Sequence, residues 1–288
     1  MAKPALIDID SLWDFNDPVA TEAKFRELVP IAETGGDEAY LSELLSQLAR
    51  TQSLQRKFDE SHAILDRAET LPASKGGRPR LRILLERGRA YNSSGKKDLA
   101  RPLFIEAWEL GDKLGEDRLA VDAAHMIAIV ESGEEALRWN LIALGLAITS
   151  EDPGARRWRK SLHNNIGWTY FEMGDRETAL GHFRKSREAA EEMGDVESER
   201  IARWCIGKSL RVLGKVEEAL EIQEQLQKDR GGQDAGYGSE EMGECLYALG
   251  RAEEAKPYFA RAHAALSKDS WLVEREPERL ARLLELSV

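Results

Sequence analysis

One spacing recurs along this 288-residue chain and limits what it can fold into. Counted from Gly167, Tyr170 follows three residues later, Gly174 seven, Ala179 twelve and Phe183 sixteen. The same offsets give Gly88, Tyr91, Gly95, Ala100 and Phe104, with Ala107 three further on, and again Gly243, Leu246, Gly250, Ala255, Phe259 and Ala262. A fourth copy runs Gly207, Leu210, Gly214, Ala219 and Leu226. Two weaker copies are anchored at Ala49, with Ser61, Leu65 and Ala68, and at Ala124, with Ile127, Ala136 and Ala143. A pattern repeated at this period belongs to the architecture before it belongs to any local chemistry.

Each copy reads as two amphipathic helices joined by a turn such as "SSGKKD", "EMGDRE", "VLGKVE" or "ALGRAE". Glycine at the turn accepts the left-handed backbone that ends the first helix. The small anchor and the later alanine fall where the helices cross, so the backbones approach closely and the aromatic side chain fills the space beside them. One pair cannot bury its apolar face by itself, but a stack of pairs can. The expectation is therefore an all-α, right-handed α-solenoid of about six helix pairs.

This pattern resembles the tetratricopeptide repeat, whose helix pairs carry Leu-Gly, Tyr, Ala, Phe and Ala at these offsets. The resemblance covers roughly Asp37 to Lys268. Anchors at 49, 88, 124, 167, 207 and 243 are 36 to 43 residues apart, wider than the family's 34, so the repeats resemble its longer-helix variety. The third copy departs by placing Glu131 where the turn glycine belongs. "LWDFNDP" and "EPERLARL" resemble a group of bacterial tetratricopeptide proteins with no established activity, which adds no mechanism.

The expected organisation is a leading segment and capping helix over residues 1–36, the repeat array over 37–268, and a closing helix over 269–288. Asp17 reads as an N-cap, Pro18 as the first helical residue and Gly35 as the stop. At the other end Leu280, Leu283, Leu284 and Leu286 share a stripe that reads either as a cover for the last repeat or as a dimerisation face. Glycine and proline interrupt the periodicity at 71–79, 149–154 and 229–238, which read as long loops, the third the most mobile.

A net charge of −11 disfavours phosphate backbones and anionic lipid, so neither nucleic acid nor membrane is expected as a partner. The start lacks a basic region followed by an apolar run, and the longest apolar stretch, 141–148, is far short of a bilayer span. Cys205 and Cys245 lie within helical patterns, without metal-ligand spacing. A soluble cytoplasmic protein without cofactor or metal is expected. None of the five histidines is spaced for a metal or a catalytic base, and the Ser161–Asp175 stretch, for all its polar residues, places His163 and Asn164 about 100° apart on a helix. No catalytic site is expected.

The expected site is a groove instead. In a right-handed stack the first helix of each pair lines the inner surface, presenting the residues three before and one after the anchor. These are Ser46 and Arg50, Leu85 and Arg89, Val121 and His125, Asn164 and Trp168, Trp204 and Lys208, and Glu240 and Glu244, with Asn92, Phe171, Arg211 and Tyr247 a turn further on. Rings flanked by guanidinium groups are the residue types that dominate protein recognition. They suit another protein or a peptide carrying acidic groups around a hydrophobic anchor. Trp168 and Trp204 packed between repeats would be the plainer outcome. Relatives of the resembled family clamp acidic chaperone tails with Lys and Asn in such slots; Asn164, Asn165 and Lys208 match in part, while Arg in the early repeats and Trp168 depart. A self-assembling unit, including a homodimer, and a ligand-sensing regulator are the alternatives to a scaffold.

Overall fold

The computed structural model describes residues 6–229 and 236–288, and the described residues form helices without a strand. They fall into two compact units, one ending at Trp158 and the other starting at Arg159. The first contains α1 (Pro18–Gly35), α2 (Glu38–Leu54), α3 (Phe58–Thr70), α4 (Gly77–Ser93), α5 (Lys97–Leu114), α6 (Asp117–Val130), α7 (Gly133–Thr149) and the single turn α8 (Pro153–Arg156). The second contains α9 (Arg159–Glu172), α10 (Arg176–Glu192), α11 (Val196–Val212), α12 (Val216–Asp229), α13 (Tyr237–Ala248), α14 (Ala252–Leu266), α15 (Ser270–Arg275) and α16 (Pro277–Glu285).

The six copies of the pattern become the pairs α2/α3, α4/α5, α6/α7, α9/α10, α11/α12 and α13/α14. Within a unit the first helices of successive pairs also touch, as α2 does α4 and α11 does α13. The anchor explains how closely the partners cross. A Cβ on Gly88 would sit 2.4 Å from the Phe104 ring, one on Gly167 2.6 Å from Phe183, and one on Gly243 2.8 Å from Phe259. Those three phenylalanines are completely buried. In the fourth copy Gln223 takes the aromatic's place beside Gly207.

The turn glycines Gly95, Gly174, Gly214 and Gly250 all hold φ between 75° and 93°, as the sequence requires. In the first pair Arg56 stands at that position and adopts the same left-handed backbone, with φ 61°. The third pair avoids it: Glu131 is extended, and the left-handed residue is Gly133 at the start of α7.

Asp17 caps α1 by accepting from the Ala20 N–H at 2.9 Å, and the left-handed stop is Gly36, one residue beyond the expected Gly35. Phe25, Val29 and Ala32 of α1 join the core of α2 and α3. The expected loop over 71–79 is partly helical, with a 3-10 turn at Pro72–Lys75 before α4 begins at Gly77. The stretch 149–154 is likewise short, because α7 runs to Thr149 and α8 starts at Pro153. Of the third expected loop, 229–238, residues 230–235 lie outside the described residues, and α13 already begins at Tyr237.

Leu280 and Leu283 of α16 are buried in the second unit's core, leaving Leu284 as the outward member of the stripe. Of the two readings of the stripe, this arrangement matches the cover over the last repeat. Among the described residues no helix is long and apolar enough to cross a membrane.

Candidate binding faces on the first helices

The slot three residues before the anchor is mostly core. Ser46 and Leu85 are sealed on helices whose neighbour is the next first helix, α4 for α2 and α6 for α4; Val121 is sealed as well, and Glu240, 7% exposed, lies under Arg279 of α16. The slot after the anchor reaches the surface in every pair: Arg50, Arg89, His125, Trp168, Lys208 and Glu244 are all partly exposed. The periodicity placed both slots on one surface, whereas helix contact splits them.

In the first unit the cations of this face are already engaged. Arg50 Nη1 donates to Glu86 Oε1 at 3.2 Å, and Arg89 Nη1 donates to the same oxygen at 2.7 Å while its Nη2 pairs with Asp122. Glu86 is 2% exposed, so it needs those partners. Burial works against the Asp122 carboxylate, but Arg89 and Arg50 hold its pKa below the ordinary value. Arg50 and Arg89 are therefore already paired with the buried acids Glu86 and Asp122. His125 packs its ring 5.2 Å from that of Trp158, and burial lowers its pKa. Asn92 is partly exposed one turn beyond Arg89.

The second unit differs. Trp168 and Trp204 lie 6.0 Å apart, Phe171 and Phe183 each sit 5.4 Å from Trp168, and Lys208 Nζ is 5.2 Å from the Trp204 ring centre. Trp168, Phe171 and Trp204 rest on the unit's core with part of each ring exposed, so each indole both packs and faces outward. The Trp204 indole N–H donates to the Tyr237 carbonyl at 3.2 Å. Arg176 lies over Phe171 at 4.0 Å. Lys208 and Arg211 converge on one carboxylate, Glu241: Nζ at 2.7 Å, and Arg211 through Nε at 2.8 Å and Nη2 at 3.1 Å. Glu241 is 1% exposed, and although burial opposes its charge, the two cations keep its pKa below normal. Asn164 is partly exposed, and its Oδ1 accepts from the Cys205 thiol at 3.5 Å. The acidic slots are closed by α16, where Arg279 Nε donates to Glu240 at 2.8 Å and Arg282 Nη2 to Glu244 at 3.1 Å. Tyr247 is 48% exposed.

His163 faces His182, Nδ1 to Nδ1 at 3.1 Å, and not Asn164. Burial pushes both cysteine thiols up to about 12, which leaves them unreactive as thiolates at neutral pH. Among the described residues no group of three or more His, Cys, Asp or Glu is placed to hold a metal ion.

Sequence reasoning did not find the counter-ions Glu86, Asp122 and Glu241, because a buried acid on a helix looks like any solvated one. It also missed the stretch before α1, whose Asp10, Trp13 and Phe15 reach the first unit's face. The only available signal was the alternation of acid and apolar residues in "IDIDSLWDF".

A stack of helix pairs keyed by glycine against phenylalanine defines a helical-repeat protein, and comparison places it among known folds. No family model matches the chain. A 128-residue stretch, 42% of this chain, is 30% identical to the outer dynein arm-docking complex subunit 4 of Danio rerio and spans 26% of that relative. The Cut9–Hcn1 tetramer of the APC/C superposes with a TM-score of 0.68 at 14% identity, over 99% of this chain and 50% of that one. A tetratricopeptide repeat protein from Parabacteroides merdae gives 0.53 at 16% identity, covering 97% and 96% of the two chains. NprR in complex with its cognate peptide NprX gives 0.57 at 16% identity, covering 96% and 82%. The chain shares the fold of tetratricopeptide-repeat proteins, an α-solenoid of helix pairs.

Proposed function

We propose that the protein is a non-enzymatic scaffold, acting in the cytoplasm, whose inner faces bind a segment of another protein. The helices before residue 37 and after residue 268 then serve as covers for the terminal pairs. The candidate residues are Arg50, Arg89, Asn92 and His125 on the first unit, and Asn164, Trp168, Phe171, Trp204, Lys208, Arg211, Glu244 and Tyr247 on the second. One observation carries the reading: Trp168 and Trp204 sit side by side, anchored yet partly exposed, with Lys208 beside them. Anchored aromatic rings lose little side-chain entropy on binding, and a true hot spot among them is worth about 2 kcal/mol or more. The likeness to NprR, solved with a bound peptide, supports a peptide or protein segment as the ligand.

The test uses the full chain as bait, with the double variant Trp168→Ala, Lys208→Ala beside it. Arg211 still grips Glu241 in that variant, so the fold should survive, which circular dichroism and melting verify. Binding of a specific protein should fall by about thirtyfold, the equivalent of one hot spot. An unchanged set of partners with a folded variant would remove this face from consideration.

A further inference from the structure

The stretch before α1 lies across the first helices of all three pairs in the first unit, and it is held there as a bound peptide would be. Asp10, at the 3-10 turn Ile9–Leu12, accepts from Arg82 Nη2 at 2.7 Å and from Arg118 Nη2, and Arg78 Nη2 stands 3.8 Å away. Arg78 and Arg82 are on α4 and Arg118 is on α6. Three residues further on, the Trp13 indole N–H donates to Gln47 Oε1 on α2 at 3.0 Å. Arg50, also on α2, lies 5.6 Å from the Trp13 ring and 5.1 Å from Phe15, and these two rings stack at 4.7 Å. The Tyr40 hydroxyl donates to the Ile7 carbonyl at 3.0 Å.

The character of this hold matters. Between Leu6 and Asn16 the stretch carries three aspartates and no basic residue, and it meets a face bearing four arginines. Only Ile9 is buried, whereas Leu6, Ile7 and Phe15 are 44%, 48% and 58% exposed. Ile9 enters the core of α1, α2 and α3, and Leu12 and Trp13 pack against it, with the Trp13 ring 5.4 Å from that of Phe25, so the attachment joins a small apolar footing to a polar and ionic hold that reaches α4 and α6. Burial opposes the Asp10 charge, yet the Arg82 and Arg118 contacts bring its pKa down to about 2. An acid grouped with an aromatic anchor is also the ligand chemistry that the slot residues call for.

We propose that the face formed by Arg50, Arg78, Arg82 and Arg118 is a docking surface for a protein segment bearing a carboxylate three residues ahead of a tryptophan, and that residues 7–15 are its resident competitor. This rests on the reading of the inner faces as binding surfaces and names the partner chemistry for one of them. An incoming segment of the same type takes over the Asp10 and Trp13 positions, so the affinity measured on the intact chain is reduced by the fraction of time the resident stretch is docked. Charge-assisted bonds from paired guanidinium groups select a carboxylate over a neutral side chain.

The experiment uses the full chain and a fluorescein-labelled synthetic peptide of residues 6–16, followed by fluorescence anisotropy. The double variant Asp10→Lys, Trp13→Ala releases the resident stretch. It should bind the peptide at least about tenfold more tightly than the natural chain, the effect of losing a competitor. Adding Arg82→Ala and Arg118→Ala, or using a peptide with Asp10→Ala, should cost about tenfold or more. A folded release variant that does not bind, or a natural chain that binds just as well, overturns the proposal. Should the release variant lose helicity, a protease site placed between Asn16 and Asp17 of the natural chain allows the cut stretch to exchange with labelled peptide. Exchange blocked by excess unlabelled peptide supports the proposal, and no exchange overturns it. Trp168 and Lys208 belong to the other unit, so their double variant should leave this anisotropy signal unchanged, and the two readings can fail separately.

Discussion

The two units are built from the same pair motif, but their first helices carry faces of different character. On the first, Arg50, Arg78, Arg82 and Arg89 are matched by Glu43, Glu86, Glu116 and Asp122, and Asp10 from the stretch before α1 pairs with Arg78, Arg82 and Arg118. On the second, two partly exposed indoles stand beside two cations that share a single carboxylate, and α16 supplies arginines to the acids. The regular copies anchored at Gly167, Gly207 and Gly243 make up the second unit, while the two irregular ones, anchored at Ala49 and Ala124, are in the first. A pair's scaffold residues thus fix where a slot lies but not whether it is free. Freedom is set by the residues one first helix away.

The largest expected difference concerns the buried acids. Glu241 depends entirely on Lys208 and Arg211 in the second unit, so Lys208→Ala with Arg211→Ala strands a carboxylate that is 1% exposed. The expected loss is about 3–5 kcal/mol in urea unfolding, the usual cost of breaking a buried pair from one side. Arg50→Ala in the first unit leaves Arg89 on both Glu86 and Asp122 and should cost only about half as much. Equal losses would show that the two networks are equally redundant and would break the contrast. Adding Glu241→Gln to the double variant should recover much of the loss, since a neutral amide is far less costly to bury than an unpaired charge.

What was legible in the sequence follows from the same physics. Six pairs, their anchors and their turns could be read because each rests on a steric demand local to one pair: Gly88 must admit Phe104, and Gly95 must adopt positive φ. The site was legible only in part. Slots after the anchor reach the surface as helical periodicity dictates, but Ser46 and Leu85 are sealed where α2 meets α4 and α4 meets α6, a contact that no single pair encodes. Asp10 reaches Arg118 across 108 residues of sequence. No periodic pattern reports a contact of that kind.

A smaller difference should appear in acid. His163 in the second unit is held at a pKa of about 4, first by burial and then by His182, Lys185 and Arg159 nearby. Its folded value lies below the unfolded one, so the unfolded chain takes up the proton first. Stability is therefore full above pH 6.5 and declines as pH falls toward 4, where the folded ring also protonates. A fully enclosed ring with that gap would contribute roughly 3 kcal/mol, but this ring is only partly buried, which reduces the expectation to about 1–2 kcal/mol. His163→Asn should flatten the decline in melting temperature over that window. A decline unchanged in the variant would move the acid sensitivity to the carboxylate networks.

The smallest effect tests what irregularity costs the first unit. Arg56 occupies the position that glycine fills in four other pairs, and at φ 61° its Cβ crowds the neighbouring carbonyl. A non-glycine residue loses roughly 1–2 kcal/mol there, and glycine returns part of that through its freer unfolded chain. Arg56→Gly should therefore stabilise by about 0.5–1 kcal/mol. Gly95→Arg makes the reverse exchange in the next pair and should destabilise by a similar amount, since nothing lies within 4 Å of a Cβ there and only the backbone term changes. If Arg56→Gly instead weakens the protein, the arginine's own contact accounts for it: its guanidinium lies 5.9 Å from the Phe58 ring. The change Arg56→Asn separates the two contributions, because asparagine tolerates the left-handed backbone but cannot cover that ring.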